Sequence, residues 1–309
     1  MTAVSGDVPA DDDRWAFEPK WDGMRAIVEV AGGVVRARSR TDKDLGPSFP
    51  ELAGVADLCD DAVFDGEIVA FDDSGRPSFG RLQQRLGLVG DRVTARSAEV
   101  AVVYVIFDLL RFGDLDVAPL PYEQRRSLLE QLVEPGPTCQ LSPSHRGDGA
   151  AWLESAREQR LEGLVAKRLG STYQPGRRSQ DWRKIKIRHA QEFAVCGWTP
   201  GTGRRSAVLG ALVLGCHDGV TLRWAGNVGT GFTDADLAWW RAEVDDSASD
   251  RCPFDPVPSH LALREARWVI PREVVQVAFG EWTGDHRLRH PVLLGRRPDV
   301  DVGQVRCDE

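Results

Sequence analysis

The sequence lacks the features of membrane-spanning and secreted proteins. Its longest uncharged apolar stretches, residues 100–107 and 208–216, are shorter than the roughly 20 residues that a transmembrane helix needs. Residues 1–13 contain four aspartates and no apolar segment with a basic flank, so they do not have the pattern of a secretory signal. From these absences we expect a cytoplasmic protein with no membrane partner.

Cysteine and lysine are both scarce. None of the six cysteines forms a C-x-x-C pair, so the sequence suggests neither a zinc ribbon nor a disulfide framework. Of the 39 basic residues only five are lysine, at positions 20, 43, 167, 184 and 186, and the other 34 are arginine. Lysine can lose its proton and act as a nucleophile, whereas arginine cannot, so each lysine is a candidate for chemistry. Codon bias explains the low ratio of lysine to arginine as well as a chemical role for the lysines does.

The acidic total does not exclude a polyanionic ligand. The formal net charge is −8, whereas phosphate binding depends on Lys and Arg. Residues 160–190, however, carry nine basic residues against two acidic ones. Such a concentrated basic segment is compatible with binding to nucleic acid.

The hydrophobic pattern predicts an α+β fold in two domains, as does a length of 309 residues. Up to residue 190, β-rich runs alternate with helices. Beyond it, short strands separated by glycine turns surround one helix that starts at Thr233, a pattern typical of an OB-fold β-barrel. We predict a disordered acidic leader over residues 1–13, an α+β domain over 14–190 and an OB-fold over 191–309.

Several motifs carry the residue types needed for nucleotidyl transfer. Residues 20–23 read Lys-Trp-Asp-Gly, and strand alternation places Asp65 with Glu67, and Lys184 with Lys186, on shared strand faces. Each strand pattern alone is better explained by a solvated strand face. Together, a lysine nucleophile, acids able to hold a divalent metal and further lysines are what attack on an α-phosphorus requires.

Six segments occur in order along the chain: EPKWDGMR, SRTDKD, FDGEIV, YVIFDLL, EGLVAKR and DWRKIKIR. They resemble the nucleotidyltransferase motifs of ATP-dependent DNA ligases, most closely those in the ligase module of bacterial ligase D, a non-homologous end-joining ligase. The later segments CGWTPGTGRR, LRWAGNVGTGFTDADL and FGEWTGDHRLRHPVLLGRRPD resemble the OB domain of that family. The resemblance implies a nucleotidyltransferase (adenylyltransferase) domain with antiparallel sheets, the ATP-grasp-like DNA ligase fold, followed by an OB-fold.

The resemblance also implies a nucleotide site. Lys20 would carry AMP as a phosphoramidate, with Asp22 in the same catalytic motif. Glu18 would contact the adenine amino group, and Phe107 would stack on the base. Further nucleotide contacts are implied for four residues, of which the two lysines would grip the α-phosphate: Arg25, Glu67, Lys184 and Lys186. Alternation places Lys167 opposite Glu162, and it receives no role.

Metal and DNA contacts are implied as well. Glu67 and Glu162 would bind a divalent metal, Mg²⁺ or Mn²⁺. Arg25 and Arg40 would read the 5′-phosphate of a nick. Two residues of the last motif would orient the pyrophosphate that leaves ATP, Arg297 and Asp299.

The implied function is an ATP-dependent DNA ligase that seals nicks or breaks through a lysyl-AMP intermediate in end-joining repair. Nicked or broken double-stranded DNA would be its substrate, and a Ku-type end-binding protein and a separate polymerase or primase its partners. We expect a monomer associated with the nucleoid. Two alternatives remain open: an RNA ligase or GTP-dependent capping enzyme, which share K-x-D-G, and a catalytically weak DNA-end-binding scaffold.

Overall fold

The computed structural model describes residues 1–201 and 209–308. The chain divides into two compact units, Met1–Ile187 and Arg188–Glu309. The division falls close to residue 190, where the change in strand spacing predicts a domain boundary. A predicted glycine turn at residues 201–205 lies largely outside the described residues.

The first unit contains two sheets and four α-helices. Its strands are β1 (Thr2–Ser5), β2 (Trp15–Pro19), β3 (Met24–Ala31), β4 (Val34–Ser39), β5 (Asp61–Ala70), β6 (Val102–Phe112), β7 (Leu115–Asp116), β8 (Cys139–Leu141), β9 (His145–Arg146), β10 (Gly163–Arg168) and β11 (Arg178–Lys186). Its helices are α1 (Phe79–Gln83), α2 (Asp91–Glu99), α3 (Tyr122–Leu132) and α4 (Gly149–Glu158), with 3₁₀ turns at Asp12–Arg14 and Pro50–Leu58.

The five-stranded sheet has the order β1-β11-β10-β2-β9, and β10 is antiparallel to both of its neighbours. One face of this sheet is apolar, because the side chains of Trp15, Phe17, Leu164 and Ile185 share it and form a core cluster with Ala156 of α4. The opposite face presents the side chains in between, several of which are charged.

The six-stranded sheet has the order β4-β3-β5-β6-β7, with β8 parallel to β6. Val28, Phe64, Ile68 and Tyr104 lie on the face that packs into the largest apolar cluster of the unit. β3 and β4 form a hairpin around Gly32 and Gly33 with a regular antiparallel register. The other face carries Arg25, Asp65 and Glu67 among apolar side chains.

The predicted disordered leader is wrong. Residues 2–5 form β1, which pairs with β11. The aspartates that suggested a solvated tail make local contacts: Asp11 accepts a hydrogen bond from the Trp15 indole at 3.1 Å, and Asp12 accepts one from the backbone N–H of Gly149 at the start of α4. Side chains that anchor helix and strand ends therefore order this segment.

The second unit is built on one seven-stranded sheet. It contains β12 (His189–Pro200), β13 (Leu209–Asp218), β14 (Thr221–Val228), α5 (Asp234–Asp246), β15 (Ala248–Ser249), β16 (Arg267–Val269), β17 (Val274–Phe279) and β18 (Val292–Arg296). β12 is its centre, because it pairs with β13, β16 and β17. Thr233 caps α5 through a reciprocal capping box with Asp236, as the predicted helix start requires.

The sequence suggests no disulfide framework, but the structure contains a disulfide bond between Cys216 and Cys307. It joins β13 to the last residues of the chain, which also pair with β13 where the backbone N–H of His217 donates to the carbonyl of Val305. The two cysteines are 91 residues apart, so no local spacing could indicate the pair. Among the described residues, no helix is long and apolar enough to cross a membrane.

A fully buried ion pair stabilises the first unit and yields a prediction. The guanidinium of Arg125 donates to both carboxylate oxygens of Asp108, at 2.7 and 3.0 Å, and to the carbonyl of Ser171. Arg125→Met leaves Asp108 buried without a cation, so we expect the free energy of unfolding to fall by about 3–5 kcal/mol. Urea denaturation followed by circular dichroism measures it.

The matched control is Arg157→Met on α4, where the ion pair with Glu154 is exposed on both sides. Exposed pairs contribute little, so this variant should unfold at nearly the same urea concentration as the wild type. Equal losses in the two variants would contradict the assignment of Arg125 as a core cation.

Candidate active site

A cavity of about 800 Å³ is lined by residues from both sheets of the first unit. Seven of the residues to which the family resemblance gives a role line it: Glu18, Lys20, Arg25, Arg40, Glu67, Phe107 and Lys184. The strand order explains this convergence, because β2, β10 and β11 are neighbours in one sheet and β3, β5 and β6 are neighbours in the other. The structure thus brings together residues that are up to 166 positions apart in the sequence.

Lys20 lies at the end of β2 and is held there by its backbone and its side chain. Its N–H donates to the carbonyl of Gly163 at 2.8 Å, and its Nζ contacts Glu162. The Nζ of Lys186 contacts the other oxygen of Glu162 at 2.8 Å. Burial opposes ionisation of Glu162, but the two ammonium groups outweigh it and lower its pKa below the usual range.

Gly163 explains why strand alternation misplaces Glu162. Alternation puts the side chains of Glu162 and Lys167 on opposite faces of β10. In the structure, however, Glu162 contacts Lys20, and both Lys20 and Lys167 line the cavity. Gly163 has a φ of 146°, which breaks the regular alternation at the strand start. A Cβ there would collide with the backbone of Ile185, so glycine is required for this approach.

On the opposite wall, Arg25 of β3 contacts Asp65 of β5 with two hydrogen bonds, at 2.9 and 2.5 Å. Burial opposes the charge of Arg25, but Asp65 outweighs burial and raises the arginine pKa. Glu67, directly opposite Arg25 in the strand register, has its pKa raised to about 8, chiefly by burial. Tyr173, which sequence reasoning missed, donates its hydroxyl to Asp65 at 2.8 Å.

Aromatic rings form one end of the cavity. Phe107 and Trp182 meet edge to face with centroids 6.1 Å apart, and both line the cavity. The guanidinium of Arg25 lies 5.7 Å from each ring centroid. Trp182 was not predicted as a site residue, although it shares a strand face with Lys184, and that alternation was the available signal.

Asp22 and Arg40 have different surroundings. Asp22 accepts a hydrogen bond from the backbone N–H of Phe79 at 3.2 Å, so it anchors the first turn of α1 beside the cavity. Arg40 lines the cavity wall together with Lys43. Asp22 is thereby tied to α1, whose first residue, Phe79, lines the cavity.

The carboxylates of the first unit fit a weakly held divalent ion. No group of three or more potential metal-binding side chains occurs within residues 1–201 and 209–308. Mg²⁺ is commonly held by one or two carboxylates together with water and substrate phosphates. Glu162, already in contact with two cations, and Glu67 are oxygen donors of this kind.

Arg297 and Asp299 lie in the second unit, whereas the cavity belongs to the first. Arg297 donates to both oxygens of Asp299 at 2.8 Å and also contacts Glu192. The hydrogen bonds from Arg297 lower the pKa of Asp299 to about 2. The guanidinium is thus oriented by two carboxylates of its own unit.

Comparisons with known proteins agree with the fold and with the motifs. The family model described as "ATP dependent DNA ligase domain" matches residues 7–186, and "ATP dependent DNA ligase C terminal region" matches residues 205–300. The second match supports the OB-fold interpretation of the second unit, and the α+β fold class is confirmed.

Relatives cover almost the whole chain. The multifunctional non-homologous end joining protein LigD of Mycolicibacterium smegmatis is 40% identical over 99% of this chain, which spans 39% of that relative. DNA ligase C2 of the same organism is 31% identical, and the match covers 93% of this chain and 87% of the relative. A solved mycobacterial DNA ligase D complexed with ATP and MES has a TM-score of 0.57 and 34% identity, covering 100% of this chain and 97% of that one.

The role of Gly163 yields a prediction. We expect Gly163→Ala to lower the free energy of unfolding by about 2 kcal/mol or more, because alanine is strained at this φ and its Cβ meets the backbone of β11. Because β10 must then shift, Glu162 should also lose its contact with Lys20. Thermal denaturation and a crystal structure of the variant measure the two effects.

Gly170→Ala is the matched control, since a Cβ at Gly170 meets nothing within 4 Å. It should leave both the melting temperature and the ion pair unchanged. If Gly163→Ala behaved like the control, the close approach of the two strands would not depend on glycine.

Proposed function

The chain belongs to the family of ATP-dependent DNA ligases, and we propose from this premise that it seals breaks in DNA through an adenylate carried on Lys20. The observation that carries the proposal is the position of Lys20. Its ammonium contacts Glu162 in a cavity that is also lined by Lys184, Phe107 and Glu18. The RNA ligase, capping enzyme and scaffold alternatives are not favoured, because both units match DNA ligase models.

In the first step, Nζ of Lys20 attacks the α-phosphorus of ATP. A nitrogen–phosphorus bond forms, the bond to the β-phosphate breaks, and pyrophosphate leaves. The attacking amine must first lose its proton to the surrounding water, and Glu162, in contact with Nζ, holds the amine in position. Lys184 and Lys186 place positive charge where the phosphate oxygens become more negative.

The cavity also offers contacts for the base and for a divalent ion. We assign Phe107 to stacking on adenine and Glu18 to accepting a hydrogen bond from its amino group, as both residues line the cavity. Glu67 and Glu162 would hold Mg²⁺ or Mn²⁺, which would neutralise charge on the phosphate oxygens. Each assignment uses a residue type suited to its partner.

In the second step the AMP moves from Lys20 to a DNA 5′-phosphate, and in the third a 3′-hydroxyl attacks with release of AMP. Arg25 and Arg40 line the cavity as guanidinium groups suited to that phosphate. The basic segment 160–190 supplies further charge for the DNA backbone.

The biological setting is proposed from the relatives. We infer a role in non-homologous end joining, with a Ku-type protein and a separate polymerase or primase as partners and a nucleoid location. The multifunctional LigD relatives are longer, and this chain corresponds to 39% of the first of them. We further infer that the ligase works as a monomer.

The nucleophile is tested by Lys20→Arg. The guanidinium stays protonated and cannot attack phosphorus, so we expect no AMP adduct after incubation with ATP and magnesium. Intact-protein mass spectrometry should show the added mass of AMP on the wild type and its loss in the variant. Arg157→Lys on the exposed face of α4 is the control for an exchange between the two basic residues, and it should form the adduct normally.

A normal adduct on Lys20→Arg would overturn the assignment of the nucleophile. Labelled GTP in place of ATP should leave the wild type unmodified. An adduct from GTP and none from ATP would instead favour the capping enzyme.

The role of Arg297 is tested by measuring the reaction of ATP with Lys20 separately from the later sealing of a nick. If Arg297 acts on the pyrophosphate of ATP, its contact is needed only while ATP reacts with Lys20. We expect Arg297→Ala to fail to form the adduct from ATP but to seal a nick whose 5′ end is already adenylylated. The control Arg223→Ala removes an exposed ion pair of the same unit, and it should both form the adduct from ATP and seal the adenylylated nick. Equal loss of both steps in Arg297→Ala, at unchanged thermal stability, would show that Arg297 serves later steps too.

A further inference from the structure

Lys167 is a buried cation to which the proposed reaction gives no task. Its side chain is 1% exposed, and its Nζ lies 2.7 Å from Oε1 of Glu18, which is 2% exposed. Nζ also donates a hydrogen bond to the backbone carbonyl of Phe107 at 2.8 Å. We propose that Lys167 is the positioning residue for adenine selectivity: it keeps Glu18 a charged acceptor beside the base and holds Phe107 against the face of the base. The inference rests on the proposed function.

The position of Lys167 joins the two walls of the cavity. Lys167 belongs to β10 and Glu18 to β2 in the five-stranded sheet, whereas Phe107 belongs to β6 in the other sheet. The ammonium also lies 4.6 Å from the ring centroids of both Phe107 and Trp182. One side chain therefore fixes the distance between the acceptor and the stacking ring.

The charge of Lys167 matters as much as its position. Burial lowers its pKa below the usual value, although Glu18, Asp108 and Asp65 oppose that shift. Tyr122 donates its hydroxyl to the same Oε1 of Glu18 at 2.5 Å. Glu18 and Lys167 are thus interdependent, because removing either one leaves an uncompensated charge in the interior.

The chemistry of the two purines turns this pairing into selectivity. Adenine carries an amino group at C6, which donates to a carboxylate, whereas guanine carries an oxygen there, which a carboxylate repels. Without Lys167, the carboxylate of Glu18 loses its paired cation and its fixed position beside the base. Loss of Lys167 should therefore relax the preference for ATP over GTP.

The test is the binding of ATP and of GTP to Lys167→Met, measured by titration calorimetry on the full chain with a chelator present so that no adduct forms. We expect ATP binding to weaken by at least about tenfold, and the ratio of ATP to GTP affinity to fall by a similar factor, because a charged hydrogen bond is lost. In adenylylation assays with magnesium, KM for ATP should rise while kcat changes less, since Lys167 does not touch the reacting atoms.

Two controls separate this role from a purely structural one. Lys167→Arg keeps the charge and should retain most of the ATP preference. Arg85→Met removes another fully buried cation of the same unit, paired with Glu51, and should lower the melting temperature without changing the ratio.

A second comparison starts from the variant Glu18→Gln, in which the carboxylate that pairs with Lys167 is absent. Adding Lys167→Met to Glu18→Gln should leave the ratio of ATP to GTP affinity unchanged, and this comparison remains available if Lys167→Met alone does not fold. A further drop in the double variant would overturn the inference, because Lys167 would then act independently of Glu18.

The remaining outcomes are distinguishable. An unchanged ratio in folded Lys167→Met, with a normal AMP adduct on the wild type, overturns the role of Lys167 and leaves the ligase function standing. Absence of any adduct on the wild type overturns the proposed function, and this inference falls with it.

Discussion

Compensation of partly buried charge is the constraint on which the first unit depends. Its cavity is lined by both sheets, where side chains have lost much of their hydration and an unpaired charge is costly. The groups that meet this constraint are Glu18 with Lys167, Asp65 with Arg25, and Glu162 with Lys20 and Lys186. The phosphates of a bound nucleotide would compete with Glu162 for the same ammonium groups, so the site without a ligand is already organised for an anion.

Strand alternation predicts most of this arrangement, because each site strand has one apolar face that must be buried. Asp65 and Glu67 were placed correctly on one face for this reason. Alternation does not predict the correct face for Glu162, because Gly163 interrupts the alternation of side chains and no periodic pattern in the sequence indicates that interruption. Tyr173 lies in a loop between strands, so its contact with Asp65 has no local signal at all.

The second unit shows the same limit of local patterns. Its strands and the start of α5 follow from turn residues and from the capping box at Thr233. The contact of Arg297 with Glu192 joins residues 105 positions apart, and no spacing rule connects them. Because Asp299 and Glu192 already orient this guanidinium, any leaving group that it serves must compete with two carboxylates of the same unit.

The scarcity of lysine acquires a physical meaning once the fold is known. Lys20, Lys43, Lys167 and Lys184 line the cavity, and Lys186 pairs with Glu162 beside it, so all five lysines of the chain converge on one site. Codon bias acts on the whole chain and does not explain this clustering. A compact ammonium that can deprotonate suits a nucleophile, a role that the permanently charged guanidinium of arginine cannot fill. The contrast between five lysines and 34 arginines therefore pointed to the site when the total charge did not.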